Sequence, residues 1–365
     1  AKMKILHIHP SMAGGGIEAM ICGLVNEMAK HHDVTLCTIY KPKKEDVFEN
    51  KLSNAVHRAT LGKTKSGFSI KEVFEIYRFI RNGHFDVVHI HGFFYYYALA
   101  VFLLHKRVKF VYTIHSDAIK ENTVWDKRMF FLKKYAFNNK FIFPVTISKE
   151  SKRSFTTFYK QDSTLIYNGI PEYTQSNALS KLKDYKLTDK TIMFIHPGRI
   201  SEAKNQVALV RAFDQLIKDG MDVILFIAGQ KQNMQIWLEI EPYISKRIVY
   251  LGERSDVRDL LHEADAFCLP SIWEGMPVTL LEALSVGCIP ICSPVGGIPE
   301  VVKNGYNGFL SENSNENAYY KTLKEFMNCP DVEVKQIKQN CLETFKKFRI
   351  AEVVNKYIKL YKSEV

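Results

Sequence analysis

Two glutamates carry the most specific chemistry in this chain, Glu274 and Glu282, with seven residues between them. Residues 266–269 (AFCL) read as a buried strand, and a loop follows through Glu274-Gly275-Met276. A helix then opens at Pro277 and stops at Gly287. Proline suits the first helical position because its missing N–H would be unpaired there, and glycine suits the residue just past the end. Glu274 falls in the loop and Glu282 inside the helix, so both carboxylates flank a helix N-terminus. Free backbone N–H groups and the positive end of the helix dipole favour an anion at that place. Acids beside a built-in anion site suit a ligand with hydroxyls at two ends and phosphates between them, as in a nucleotide sugar.

Other residue groups point the same way. Gly198-Arg199 is followed, six residues from Gly198, by Lys204-Asn205. Fixed cations of this kind stabilise the charge that builds on a pyrophosphate leaving group without having to rearrange. Near the start, residues 3–9 (MKILHIH) are apolar enough for a central strand, and residues 10–16 form the loop after it. From Ile17 a helix follows, with Ile17, Met20, Ile21, Leu24, Val25 and Met28 as its core stripe. Strand, glycine loop and helix together make a phosphate cradle. His115-Ser116-Asp117 follows a further strand, residues 109–114, at the carboxyl end where open α/β sheets hold ligands.

The glycine loop also admits a rival. Gly14-Gly15-Gly16-Ile17-Glu18-Ala19 satisfies the G-x-G-x-x-A fingerprint of a dinucleotide site. That site needs an acid near the end of the second strand to hold a ribose. Here the second strand, residues 34–40, runs into Lys41-Pro42-Lys43-Lys44, with acids only at Glu45 and Asp46. This counts against NAD.

The elements that must position these groups alternate between strand and helix. Residues 41–69 are polar, basic and weakly patterned, and are expected to form a long loop with little structure. Residues 70–81 read as a helix, 86–90 as a strand leading to His91-Gly92, and 93–104 as a largely buried helix. Residues 122–137 predict a helix with Val124, Trp125, Met129, Leu132 and Ala136 on one face. Residues 141–147 form a strand with Ser148 as N-cap of the next helix, and 164–167 a last strand before Asn168-Gly169 turns the chain out. Residues 171–190 are polar and aperiodic, and read as an interdomain connection. Strands resume at 191–195, at 222–228 before Gly229, and at 247–251 before Gly252-Glu253-Arg254-Ser255-Asp256-Val257. Ile350, Val353, Val354, Tyr357, Ile358 and Tyr361 stand at helical spacing near the end.

At 365 residues and 46% hydrophobic content, the chain is long enough for two domains with separate cores. Seven cysteines, odd in number and mostly inside apolar runs, predict reduced thiols and a cytoplasmic setting rather than a disulfide framework. Cys288 and Cys292 are the closest pair, with no His or Cys cluster at metal-ligand spacing around them. The start carries no signal-peptide pattern, and the longest apolar run, residues 93–104, is too short to span a bilayer. The net charge of +11 is uneven: residues 1–170 carry +12 and the remainder −1. No nucleic-acid module accompanies that basic half, which fits an anionic acceptor or an anionic membrane surface better. Residues 117–160 hold ten Lys and Arg against four acids, interleaved with Trp125, Phe130, Phe131 and Tyr135, and are the best candidate for surface contact with lipid.

Ser271, Glu274, Gly275, Pro277, Glu282, Ala283 and Gly287, followed by Gly296-Gly297 and Pro299-Glu300, resemble the signature of the family 4 retaining glycosyltransferases (glycosyl transferases group 1). Gly198-Arg199 with Lys204-Asn205 is similar to that family's diphosphate clamp, and Gly15-Gly16-Ile17-Glu18 to its N-terminal Gly-Gly-x-Glu loop. The resemblance covers nearly the whole chain, with the specific motifs mainly at 198–300. It implies an α/β, GT-B fold of two Rossmann-like domains facing a cleft. The acceptor domain would span 1–170, with a helix at about 349–365 packing back on it; the linker would span 171–190 and the nucleotide-sugar domain 191–348.

The resemblance also implies residue roles. Arg199, Lys204, Gly16 and the helix N-terminus at Val278-Thr279 would hold the diphosphate, and Glu282 the ribose. Glu274 and His115, the catalytic candidates, would orient the sugar. Gly15, Gly275 and Met276 would line the donor site, and Arg254 and Val257 would frame the base, largely through backbone groups. The family often shows a second glycine after Gly229, where this chain has Gln230-Lys231; it often shows an acid soon after Asn-Gly, where this chain has Ile170-Pro171-Glu172, and no role is carried onto that turn. No side chain is nominated as base, since the departing phosphate is thought to take the acceptor's proton. No D-x-D occurs, so no metal and no cofactor beyond the nucleotide-sugar co-substrate, such as a UDP-sugar, is expected. The expected acceptor is a saccharide or lipid-linked saccharide. The expected setting is cell-surface polysaccharide or glycolipid synthesis, in the cytoplasm or peripheral at the inner face of the plasma membrane. A sugar phosphorylase or nucleotide-sugar epimerase on the same fold is the close alternative, and an NAD-dependent oxidoreductase the distant one.

Overall fold

The computed structural model describes residues 2–13, 15–44, 46, 48–115, 118, 124–175 and 181–363, apart from the side chain of Trp125. Gly14, Ser116, Asp117 and the predicted helix start at Asn122 therefore lie outside the described residues. The chain divides into two compact units: residues 1–171 with 349–365, and residues 172–348.

The first unit runs β1 (Lys4–His9), α1 (Gly16–Met28), β2 (Asp33–Tyr40), β3 (His57–Lys63), α2 (Ile70–Gly83), β4 (Val87–Ile90), α3 (Phe94–Leu104), β5 (Lys109–Ile114), α4 (Val124–Arg128), α5 (Phe130–Asn138), β6 (Ile142–Thr146), α6 (Lys149–Tyr159) and β7 (Thr164–Leu165). Its seven strands pair in parallel in the order β3-β2-β1-β4-β5-β6-β7. Parallel strands joined by helices are covered on both faces, which is why β1, β4 and β5 read as apolar runs. The order reverses between β1 and β4, the kind of point at which open α/β sheets hold ligands.

The second unit runs β8 (Ile192–Pro197), α7 (Gln206–Lys218), β9 (Val223–Ala228), α8 (Met234–Ile240), β10 (Ile248–Gly252), α9 (Val257–Glu263), β11 (Ala266–Leu269), α10 (Val278–Ser285), β12 (Ile289–Cys292), α11 (Ile298–Val301), β13 (Phe309–Leu310), α12 (Glu316–Met327) and α13 (Asp331–Phe345). Its parallel order is β10-β9-β8-β11-β12-β13, with the reversal between β8 and β11. A final helix, α14 (Ile350–Lys362), belongs to the first unit: Val353, Tyr357 and Tyr361 join Met20, Leu24 and Val25 of α1 in one core, and the Ile350 N–H donates to Ile170 O at 2.9 Å.

Four readings from the sequence need correction. Residues 41–69 are not a bare loop, because they contain β3, the edge strand of the first sheet, with no fully buried position. An edge strand facing solvent carries few apolar residues and so leaves little pattern. The helix predicted over 122–137 is broken at Met129, whose ψ of 15° departs from the helical value. That break re-phases the face: Ala136 and Phe137 are buried, while Val124 and Leu132 are 67% and 48% exposed. Ile17, at the helix start, is also exposed, unlike the rest of its stripe. Within 171–190, residues Leu182–Tyr185 form a short 3-10 turn whose Leu182 N–H donates to the Glu263 carboxylate at 2.9 Å, so part of the connection is folded into the second unit. Ser148 does cap α6: its Oγ accepts from the Ser151 N–H at 3.0 Å, and Ser151 Oγ accepts from the Ser148 N–H at 3.1 Å. Among the described residues, no helix is long and apolar enough to cross a membrane.

Candidate functional site

In the second unit the loops after β8 and β11 meet at the reversal of strand order. Asn205, left-handed at φ 56°, closes the β8 loop and donates to the carbonyls of Pro270 at 3.0 Å and Ser314 at 2.8 Å. The Ile272 N–H donates to Ala203 O at 2.8 Å. These bonds bring Lys204 Nζ within 2.5 Å of Glu274 Oε1, to which Ser271 Oγ also donates at 2.6 Å. The Glu274 side chain is 9% exposed and that of Lys204 22%. One carboxylate oxygen is thus held by a cation and a hydroxyl; the other, Oε2, makes no hydrogen bond among the described residues. These two donors hold the carboxylate in one orientation.

Glycines let this loop close. At Gly296, φ is +58° and an added Cβ would lie 2.1 Å from Glu274 O, while the Gly297 N–H donates to Gly275 O at 2.7 Å. The Gly-Gly turn is therefore the backing of the Glu274 loop. Gly229, at φ +153°, approaches Gly198 so closely that a Cβ would sit 2.0 Å from its carbonyl oxygen. One glycine at this turn suffices for close backbone approach, although it is to Gly198 that the backbone comes near.

Helix α10 begins at Val278, with Pro277 extended (ψ 123°) as the residue before it rather than its first helical residue. No side chain caps the helix and no acid lies in its first turn. Among the described residues, the N–H groups of Val278 and Thr279 have no acceptor, as backbone donors at an uncapped helix start do. Glu282, half-buried, stands one turn on, and its charge acts on Arg258, which donates to Ser285 Oγ at 2.8 Å. Arg199 is exposed, and its guanidinium makes no hydrogen bond or ion pair among the described residues. It borders an open groove of about 770 Å³ that Gln232, Asn233, Met234 and Trp273 also line. Arg254 is closed on Asp256, two residues on, by two bonds of 2.8 and 2.6 Å.

One supporting residue escaped the sequence reading. His196, fully buried, donates from Nδ1 to Cys268 O at 2.9 Å and faces the Gln206 amide at 3.1 Å through Nε2; Gln206 in turn donates to Arg199 O at 2.8 Å. Burial pushes its pKa down to about 4, so it is neutral and holds the Arg199 turn in place.

In the first unit, α1 starts at Gly16, and Gly15 (φ +154°) lies where a Cβ would come 2.7 Å from Glu18 Oε2. Glu18 Oε1 is 3.2 Å from His9 Nε2, so this carboxylate already sits beside the glycine loop. His115, at the end of β5, has Nε2 3.0 Å from His91 Nδ1, and His91 Nε2 lies 3.1 Å from His7 Nδ1. Burial holds His7 and His115 down to about 3 and His89 and His91 well below the ordinary value. Only His115 of this array was singled out from sequence. The signal for the rest is the period of two in His7-x-His9, His89-x-His91 and Thr113-x-His115 at the ends of three strands. All seven cysteines are free thiols, six of them buried; burial pushes Cys37 and Cys268 up to about 12.

The profile described as "Glycosyltransferase Family 4" matches residues 14–172, and that described as "Glycosyl transferases group 1" matches residues 180–342. The chain belongs to glycosyltransferase family 4. It is 29% identical over 208 residues to UDP-Gal:alpha-D-GlcNAc-diphosphoundecaprenol alpha-1,3-galactosyltransferase of Escherichia coli, covering 54% of this chain and 53% of that protein. It is 25% identical over 205 residues to N-acetyl-alpha-D-glucosaminyl L-malate synthase of Bacillus anthracis, covering 55% and 54%. The chain thus spans about half the length of these relatives. Among solved structures, Anabaena HepE in complex with UDP and glucose superposes with a TM-score of 0.80 at 18% identity, over 99% of this chain and 100% of that one. At that identity the likeness is one of fold, and the fold of this family 4 member is GT-B. The phosphorylase, epimerase and oxidoreductase readings are not favoured.

Proposed function

We propose that this family 4 member is a retaining, metal-independent glycosyltransferase that moves a sugar from a UDP-sugar to a hydroxyl of a lipid-linked saccharide at an anionic membrane surface. The observation that carries the reading is the Lys204–Glu274 pair at 2.5 Å, next to the uncapped start of α10. Lys204, Arg199 and the N–H groups of Val278 and Thr279 would hold the diphosphate and stabilise its charge as the glycosidic bond breaks, the work a metal does elsewhere. Glu282 would accept hydrogen bonds from the ribose. The open oxygen of Glu274 would meet the sugar, where positive character develops at the anomeric carbon. No side chain is assigned as base; the departing phosphate would take the acceptor's proton.

UDP is favoured by the named substrate of the Escherichia coli relative and by the ligand of HepE. The lipid-linked acceptor is favoured by that relative's diphosphoundecaprenol substrate and by one face of the first unit. On that face Phe131, Leu132 and Tyr135 of α5 and Leu103 of α3 are exposed, among exposed Lys106, Arg107, Lys127 and Arg128. Apolar side chains ringed by cations suit the headgroup layer of an anionic bilayer. The test is transfer from a panel of UDP-sugars to an undecaprenyl-diphosphate-linked saccharide, with the product's anomeric configuration read by NMR, with and without EDTA. Transfer with retained configuration in EDTA is expected. Inversion, or loss in EDTA that manganese or magnesium restores, would overturn the mechanism.

A further inference from the structure

We infer that Arg258 is a positioning residue of the nucleotide site, anchoring the face of α10 that carries Glu282 to the stretch by which the chain enters the second unit, Glu172-Tyr173. Its effect on nucleotide binding rests on the proposed contact of Glu282 with the ribose; the anchoring itself does not.

Arg258 is the second residue of α9 and is half-buried. Its guanidinium reaches in two directions. Nη2 donates to Ser285 Oγ at 2.8 Å, and Ser285 Oγ donates in turn to Glu282 O at 2.6 Å. Ser285 and Glu282 stand three residues apart on α10, so their side chains rise from one face of the helix. In the other direction Nη1 donates to Glu172 O at 3.3 Å, and the guanidinium carbon lies 5.5 Å from the centre of the Tyr173 ring. Tyr173 is itself fastened to α9. Its Oη donates to Asp259 Oδ1 at 2.6 Å, and its ring stacks on His262 at 5.3 Å. Glu172 is the first residue of the second unit. One planar fork therefore joins the entry of the chain to the helix of the ribose carboxylate, a span that suits arginine's fixed donors.

Stability alone does not account for this residue. Its Nε–H is buried without a hydrogen-bond partner, and among the described residues no carboxylate pairs with the guanidinium. An unpaired buried donor costs stability, and so does a cation drawn partly out of water. What the guanidinium gains is Glu282. Burial lowers its pKa, and the Glu282 charge opposes that lowering, followed by Tyr173 and Asp259. The attraction is mutual, so Arg258 acts on the carboxylate of Glu282 directly and on its backbone through Ser285. A carboxylate ordered in this way meets ribose hydroxyls without first losing the freedom of a loose side chain.

The experiment titrates UDP and 2′,3′-dideoxy-UDP into the full chain by calorimetry. Arg258→Met keeps an aliphatic stem beside Tyr173 and removes the fork. UDP should bind about tenfold more weakly to this variant while dideoxy-UDP binds as before, because only UDP offers hydroxyls to Glu282. In a Glu282→Gln background the same substitution should change UDP binding by less than about twofold, since the pair is already broken. Amide hydrogen exchange should rise together in residues 172–175 and 278–285. If Arg258→Met does not fold, Ser285→Ala serves, since it cuts the bond to α10 alone and should shift both readouts the same way. UDP binding unchanged, both nucleotides weakened alike, or exchange unmoved in the two segments overturns the inference. If the wild type binds the two nucleotides equally while exchange in both segments rises in the variant, the anchoring stands and the ribose contact of Glu282 is what fails.

Discussion

Acidification from pH 7 to 5.5 should loosen the strands β1, β4 and β5. His7 is fully buried, and burial holds its pKa down to about 3, against an ordinary value of 6.5. Because the folded value is depressed, the unfolded chain takes up the proton first; stability is full above 6.5 and is lost as pH falls toward 3. At pH 5.5, one unit below the unfolded value, His7 alone costs about 1.4 kcal/mol, a tenfold rise in opening. His89 and His91 shift in the same direction and add to the loss. Against a typical stability of about 5–15 kcal/mol this is a large fraction. Amide hydrogen exchange, corrected for intrinsic rates, should show protection in β1, β4 and β5 falling more than tenfold between the two pH values. His7→Phe, which keeps a ring but no titrating group, should flatten the stability slope by about 1.4 kcal/mol per pH unit below 6.5. Constant protection in the wild type, or an unchanged slope in the variant, would refute the reasoning.

Two further outcomes follow from the geometry. Gly296→Ala places a Cβ 2.1 Å from Glu274 O at φ +58°. The left-handed backbone costs about 1–2 kcal/mol, and turnover should fall further than the melting temperature implies because the Glu274 loop must move; full activity would contradict that backing role. Phe131→Glu alters a side chain that is 82% exposed, so stability should hold while sedimentation with anionic vesicles drops about tenfold or more. Wild-type binding should also weaken as salt shortens the Debye length from about 8 Å; equal binding by wild type and variant would exclude this face as the contact.

The motifs of the second unit were legible because each is local: Pro277, the helix behind it and Gly287 are consecutive in the chain, and so are Gly198-Arg199 and Lys204-Asn205. Their consequence was not. Lys204 and Glu274 had been given separate roles, on the phosphates and on the sugar, and only the bonds of Asn205 to Pro270 and Ser314 reveal them as one ion pair. The purpose of Gly296 likewise needs the fold, since what it clears is the backbone of Glu274. Strand β3 escapes the sequence because its apolar alternation is only Ala59 and Leu61, both partly buried, among polar neighbours. The buried face of α5, Lys133, Ala136 and Phe137, is rotated from the expected Leu132 and Ala136, because a single non-helical residue, Met129, is invisible to periodicity. The histidine row was written in the sequence as a period of two, but its meaning depends on β1, β4 and β5 being neighbours in that order.

The central claim is that the second unit holds a nucleoside diphosphate between Glu282 and the cations beside Glu274. Calorimetric titration of UDP into the wild type, Glu282→Ala and Glu274→Gln, with turnover measured alongside, tests it most directly. Glu282 should contact the ribose in substrate, transition state and product alike, so its loss should weaken UDP by about 1.5–3 kcal/mol. Glu274→Gln preserves shape and should bind UDP nearly as the wild type does while transfer slows by about a hundredfold or more. UDP binding untouched by Glu282→Ala and abolished by Glu274→Gln would show the two roles reversed, and no UDP binding by the wild type would contradict the account.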